Sequence, residues 1–134
     1  MRQILFRGKD LSGVLDHSWI FGSLDTTEKE YPSIIYLDRF GNRCRISVNH
    51  KTVGQYTGLT DKNGKKIFEG DILKNIESGE IVDICYSGCS FRYSYNNSIY
   101  GYGVDDIEKG IVTDEFEVIG NIHDNPELFE VENA

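Results

Sequence analysis

Along the chain, apolar and β-branched residues come in short runs separated by Gly, Asn, Asp and Ser. No window sustains apolar positions at i, i+3, i+4 and i+7 over three helical turns, so the pattern is that of strands and turns. "QILFRG" (Gln3–Gly8) reads as a first strand and "SWIFGSL" (Ser18–Leu24) as a second. "SIIYLD" (Ser33–Asp38) and "CRISV" (Cys44–Val48) flank "RFGN" (Arg39–Asn42), a hairpin turn in which Gly41-Asn42 can take positive φ. "DKNGKK" (Asp61–Lys66) is a stronger turn signal, with Asn63-Gly64 predicting a type I′ pair. "IFEGDIL" (Ile67–Leu73) reads as one strand interrupted by Gly70, and "GEIVDICYS" (Gly79–Ser87) follows the turn "ESG".

"SFRYSY" (Ser90–Tyr95) alternates, so Phe91, Tyr93 and Tyr95 share a face. "EFEVIGNIH" (Glu115–His123) is a late strand, with Gly120 as a bulge or close approach. "NPELFEVENA" (Asn125–Ala134) predicts a short helical turn, with Asn125 as cap, Pro126 at the first helical position and Glu127 favouring the helix dipole. "LDTTEKEYP" (Leu24–Pro32) and "NNSIYGYGVDDIEKG" (Asn96–Gly110) read as polar loops, the second with room for a short helix over Val104–Lys109. The expected fold is all-β: one domain over residues 1–134, built as a small bent sheet or closed barrel. "FEGDIL" followed by "GEIVDICYS" carries SH3-like features.

Composition changes this picture little: 39% hydrophobic and 27% charged residues describe a globular chain, and 12% aromatics suit pleated sheets. No apolar run approaches the ~20 residues of a membrane helix. The N-terminal apolar stretch is too short for a signal peptide. The odd set Cys44, Cys85 and Cys89 is a poor disulfide framework. Together these predict a cytoplasmic protein that does not enter the membrane.

Charge is uneven. The net charge is −8, but residues 1–67 hold 11 Lys/Arg against 7 Asp/Glu (+4) and residues 68–134 hold 3 against 15 (−12). An acidic chain lacks the overall footprint of a nucleic-acid binder, while the basic first half leaves room for a local patch. Lys62, Lys65 and Lys66 with Arg39, Arg43 and Arg45 are its candidates.

Catalytic constellations are weak. "CYSGC" (Cys85–Cys89) has the spacing C-x3-C rather than C-x2-C, and a metal site needs the fold to gather Cys44 with His50 or His123. His17, His50 and His123 show no His-x-x-x-His spacing, and no G-x-S-x-G is present. "GLTDKNGKK" fails the Walker spacing, since Gly58 and Gly64 are six apart and Lys66 is not followed by Ser or Thr. The acidic pairs Glu69/Asp71 and Asp105/Asp106 are candidate ligands or acid/base groups. Glu69 and Asp71, at i and i+2, are expected on one strand face, although acids beside Gly often cap backbone amides instead. Phe91, Tyr93, Tyr95, Tyr100 and Tyr102 suggest a stacking platform, but Arg92 and Lys109 there face many carboxylates, which favours packing or a protein interface.

"QYTGLTDKNGKKIFEGDIL" (Gln55–Leu73) closely resembles the signature of the YopX protein family of bacteriophages and prophages. "MRQILFRGKD" resembles that family's opening and "FEVIGNIHDNPEL" its close, while Trp19–Val48 and Cys85–Lys109 carry little of the likeness. The resemblance implies a small, mostly β, barrel-like phage protein, with no catalytic residues, metal or cofactor to carry over. The first functional reading is therefore a non-enzymatic accessory protein that binds a host or phage protein. The second is a nucleic-acid-associated regulator using the basic hairpin. The third is a metal-dependent enzyme with Glu69 and Asp71 as ligands. The nominated binding residues are Tyr56, Lys62, Lys65, Lys66, Phe68, Glu69 and Asp71. Edge strands in so small a sheet make a homo-oligomer a further expectation.

Overall fold

A computed structural model describes residues 4–27, 30–87, 90–95, 98–99 and 115–128. The chain divides into two compact units, Met1–Tyr56 and Thr57–Ala134. In the first, β1 (Phe6–Lys9), β2 (Trp19–Asp25), β3 (Ser33–Leu37) and β4 (Arg43–Ser47) form an antiparallel meander. A 3-10 turn, His50–Thr52, leads into β5 (Gly54–Thr60), whose first residues pair with β1, giving the order β4-β3-β2-β1-β5. The alternation of the sequence sets the faces. Ile20, Ile34 and Val48 are buried, and Phe6, Leu15, Leu24, Tyr36, Ile46 and Val53 pack against them.

β5 crosses into the second unit, where its end runs beside β6 (Lys66–Phe68). There β7 (Asp71–Asn75), β8 (Ile81–Ser87), β9 (Ser90–Tyr95), β10 (Ser98–Ile99) and β11 (Phe116–Asn121) form a sheet in the order β10-β9-β8-β7-β11. Its pairings are antiparallel, and the β11–β7 register shifts between Val118 and Gly120, so the bulge expected at Gly120 is present. Ile67, Leu73, Val82, Ile84 and Phe116 make this unit's core, with Leu59 and Val118 against it.

The protein is all-β, built of two antiparallel sheets. Of the two forms expected, the closed barrel is not formed: among the described residues each sheet is open. The span "IFEGDIL" is also not one strand. Glu69-Gly70 forms a turn, Gly70 has φ +94°, and the chain leaves the β5–β6 ladder for the second sheet there.

The type I′ expectation for Asn63-Gly64 is corrected, while the positive φ expected at the Gly41-Asn42 turn is present on Gly41. Positive φ falls on Gly41 (83°) and Gly64 (82°), but among the described residues Asp16 and His17 are the only non-Gly residues with positive φ. Each turn is therefore a type I turn closed by a left-handed glycine. At the other end, Asn125 does not act as the expected simple cap. Its Oδ1 accepts from the Asn121 N–H at 3.3 Å, upstream, and its carbonyl accepts from Leu128 N–H at 3.1 Å. Glu127 and Leu128 are helical, and the rest of the predicted turn lies outside the described residues.

Candidate functional site

The span Gln55–Leu73 contains β5, a turn, β6, a second turn and the start of β7. Its polar residues are directed largely at backbone. Asp61 is 4% exposed. Its Oδ1 accepts from Asn63 N–H (2.8 Å) and Lys65 N–H (2.9 Å), and its Oδ2 accepts from Val118 N–H on β11 (2.9 Å). Lys62 N–H donates to Phe116 O at 3.2 Å. One carboxylate thus shapes the turn and pins it to β11. Thr57, also buried, donates its hydroxyl to Ile67 O at 2.9 Å. Asp71 accepts from Phe68 N–H at 2.7 Å, which closes the Glu69-Gly70 turn. The Gly70 N–H reaches Ile84 O (2.7 Å), and its carbonyl accepts from Ile122 N–H (2.9 Å).

The seven nominated residues therefore separate. Tyr56, Phe68 and Asp71 are buried, at 7%, 3% and 2% exposure. Glu69 is half-buried in the turn, so it does not share a strand face with Asp71 as expected. Lys62, Lys65 and Lys66 are exposed on the hairpin. Among the described residues no group of three or more His, Cys, Asp or Glu could hold a metal ion. Cys44 and Cys85 are not in a disulfide, and Cys44 Sγ lies 3.6 Å from Asn42 O. His17 sets its Nδ1 2.9 Å from Asp10 O, His50 opens the 3-10 turn, and His123 N–H donates to Asn121 Oδ1. Cys89, Tyr100, Tyr102, Asp105, Asp106 and the helix expected over Val104–Lys109 lie outside the described residues. So do the side chains of Phe91, Arg92, Tyr93 and Tyr95.

Two surface features of the first unit contain aromatic and apolar residues that the sequence does not nominate, although Arg39, Arg43 and Arg45 are among its basic candidates. One is the β3–β4 hairpin tip. Leu37 and Phe40 are 70% and 75% exposed, and the Arg39 guanidinium sits 4.9 Å from the Phe40 ring centre. Asp38 organises this tip by accepting from Phe40 and Asn42 N–H, both at 2.9 Å. The backbone N–H bond of Asn42 is the main cause that holds its carboxyl below the usual range. The other feature is the sheet face opposite the core, where Lys9 is paired across from Trp19 and Arg7 across from Phe21. Arg7 is 4.5 Å and Lys9 5.8 Å from the Trp19 ring centre. The readable signal for the tip was an apolar residue placed inside a D-x-x-G turn. For the face it was the alternation within "FRGK" and "WIF".

The described residues thus define a small two-sheet β protein in which Thr57, Asp61 and Asp71 of the Gln55–Leu73 span bond to backbone. The chain belongs to the YopX protein family, whose model matches residues 14–130. The match includes the segments that carried little visible likeness and begins after the N-terminal "MRQILFRGKD". Among solved structures, the chain is similar to protein EF1440 from Enterococcus faecalis. The two are 24% identical with a TM-score of 0.55, over 96% of this chain and 99% of that one, a likeness of fold. No curated protein matches.

Proposed function

We propose that this YopX family member is a non-enzymatic accessory protein of a phage or prophage that binds another protein in the bacterial cytoplasm through its β3–β4 hairpin tip. The observation that carries this reading is the pairing of Leu37 and Phe40, both largely in water, with Arg39 stacked beside the Phe40 ring. Single exposed apolar residues are ordinary on a protein surface. An exposed Phe beside an arginine on one ordered turn matches residue types enriched at protein interfaces, and Leu37 adds apolar area. The turn is fixed by Asp38, so little ordering is needed on binding. Arg39 lies between the two apolar residues and Arg43 pairs across from Leu37, which favours a partner presenting carboxylates around an apolar pocket.

The non-enzymatic part is supported by Asp71, the candidate acid that is buried and accepts from the Phe68 backbone N–H. To test the docking role, wild type and the Leu37→Ser/Phe40→Ser double variant serve as baits in host lysate. A protein captured by wild type and lost with the variant, at unchanged circular dichroism, supports the tip. Equal capture by both removes it.

A further inference from the structure

We propose that Asn63 is a self-modification site: the Gly64 backbone nitrogen attacks its carboxamide, and the β5–β6 turn is converted to an aspartyl or isoaspartyl form. This goes beyond protein docking at the β3–β4 tip and concerns residues of the second unit. The step needs only water. The Gly64 nitrogen gives its proton to solvent base and bonds to Asn63 Cγ. The carboxamide nitrogen takes up a proton and leaves as ammonia, which closes a succinimide ring. Water then opens the ring at either carbonyl. One opening leaves an ordinary aspartyl residue at position 63. The other leaves an isoaspartyl residue, whose side-chain methylene has become part of the backbone.

Sequence and structure select this asparagine independently. In the whole chain only Asn63 is followed by glycine, whose missing Cβ leaves the attacking nitrogen unhindered. Beyond its chain neighbours, no described heavy atom lies within 4 Å of where a Cβ on Gly64 would sit, so nothing crowds the ring as it closes. The side chains divide more sharply. Asn49 Oδ1 accepts from Lys51 N–H at 3.0 Å, and Asn75 Oδ1 from Glu77 N–H at 2.9 Å. Asn121 Oδ1 accepts from Asp124 N–H at 2.9 Å, Asn125 Oδ1 from Asn121 N–H at 3.3 Å, and Asn42 Nδ2 donates to Asp38 Oδ2 at 3.4 Å. Among the described residues, only Asn63 keeps an exposed carboxamide without a hydrogen bond. The cause is Asp61, which opens the turn. Its Oδ1 takes the Asn63 and Lys65 amides at 2.8 and 2.9 Å, so the turn is already shaped and the Asn63 side chain is left over. Gly64 N–H donates to Asp61 O at 3.0 Å, so attack follows local opening of an exposed turn tip. Lys62 and Lys65, exposed on either side of the pair, favour the anionic nitrogen. The change is one-way. It sets a carboxylate among these lysines, and the isoaspartyl product lengthens the backbone between the two amides that Asp61 spans. Asp61 also holds Val118 N–H at 2.9 Å, which carries the change to β11.

The full chain is incubated in warm, mildly alkaline buffer and sampled over days by peptide mass mapping, with isoaspartate detected by enzymatic methylation. The expected result is the mass gain of a carboxamide replaced by a carboxylate, in the peptide holding Asn63 before any other, with isoaspartate in that same peptide. Gly64→Ala slows the gain about tenfold, and Asn63→Gln, which would need a larger ring, removes it, both in variants whose circular dichroism matches wild type. An Asn63 that stays intact, an asparagine elsewhere that reacts first, or an unchanged rate in Gly64→Ala overturns the proposal. Asn63→Asp supplies the new charge without the longer backbone. The isoaspartyl fraction, separated by ion exchange, is expected to unfold at a lower urea concentration than Asn63→Asp, and equal midpoints overturn the coupling to β11.

Discussion

Asp38 and Asp61 are the same residue in the same turn, used at two depths. Each opens a D-x-x-G turn, each accepts from the amides two and four residues on, and each is followed by a left-handed glycine. Asp61 is buried and also holds Val118 N–H, so its loss strands a donor that belongs to another strand. An unsatisfied buried amide costs about 1–3 kcal/mol, and the two turn amides are lost with it. Asp61→Ala is therefore expected to destabilise the protein by about 3 kcal/mol in urea titration. Asp38→Ala, at the water-exposed tip, is expected to cost clearly less. Equal losses would show that the link to β11 adds nothing. Asn63, which looked like the director of its turn, has an ordinary backbone φ; the buried carboxylate two residues earlier selects the conformation.

At the level of elements, a strand was legible where burial alternates along it, and β10 (Ser98–Ile99), inside a segment read as a polar loop, was not. In β4, "RCRIS" alternates exposed and half-buried residues along its whole length, and the sequence showed that period directly. The break inside "IFEGDIL" was not legible, because a glycine within an apolar run reads equally as a bulge or a turn. What decides it is tertiary: Gly70 bonds to Ile84 on β8 and receives Ile122 N–H after β11, and neither partner is close in sequence. The candidate site is divided by burial, with Tyr56, Phe68 and Asp71 buried and Lys62, Lys65 and Lys66 exposed. Tyr56, Phe68 and Asp71 looked like a motif because they sit beside lysines, and burial, which separates them, is not visible in a linear string. Gly70→Ala tests the hinge. At φ +94° an added Cβ is strained by about 1–3 kcal/mol. The expected result is a lower urea midpoint with unchanged slope. An unchanged midpoint would mean that the turn relaxes freely.

At the scale of the whole molecule, acid acts on this protein in two separable ways. The sequence isoelectric point is about 4.8, where the charge that keeps copies apart vanishes, so self-association should peak there. Folding has a different acid limit. Asp10, Asp25 and Asp38 all have carboxyls held below the usual value of 3.8, chiefly by the Ser12 hydroxyl, the Thr27 hydroxyl and the Asn42 N–H respectively. A depressed folded pKa favours the ionised form in the fold. Its stabilising contribution is complete above the unfolded value and is lost as pH falls through the folded one. The protein should therefore be cloudy yet folded near pH 4.8, and should lose structure only below 3.8. Turbidity and circular dichroism recorded across the same pH series check this. Asp10 binds Ser12, Leu15 and His17 amides in the loop before β2. Asp10→Asn should weaken the protein at neutral pH and flatten the acid limb of the dichroism curve, while shifting the turbidity peak only slightly. If turbidity and dichroism moved together in wild type, aggregation near the isoelectric point would be a consequence of unfolding, and the Asx-anchored loops would not set the acid limit of this fold.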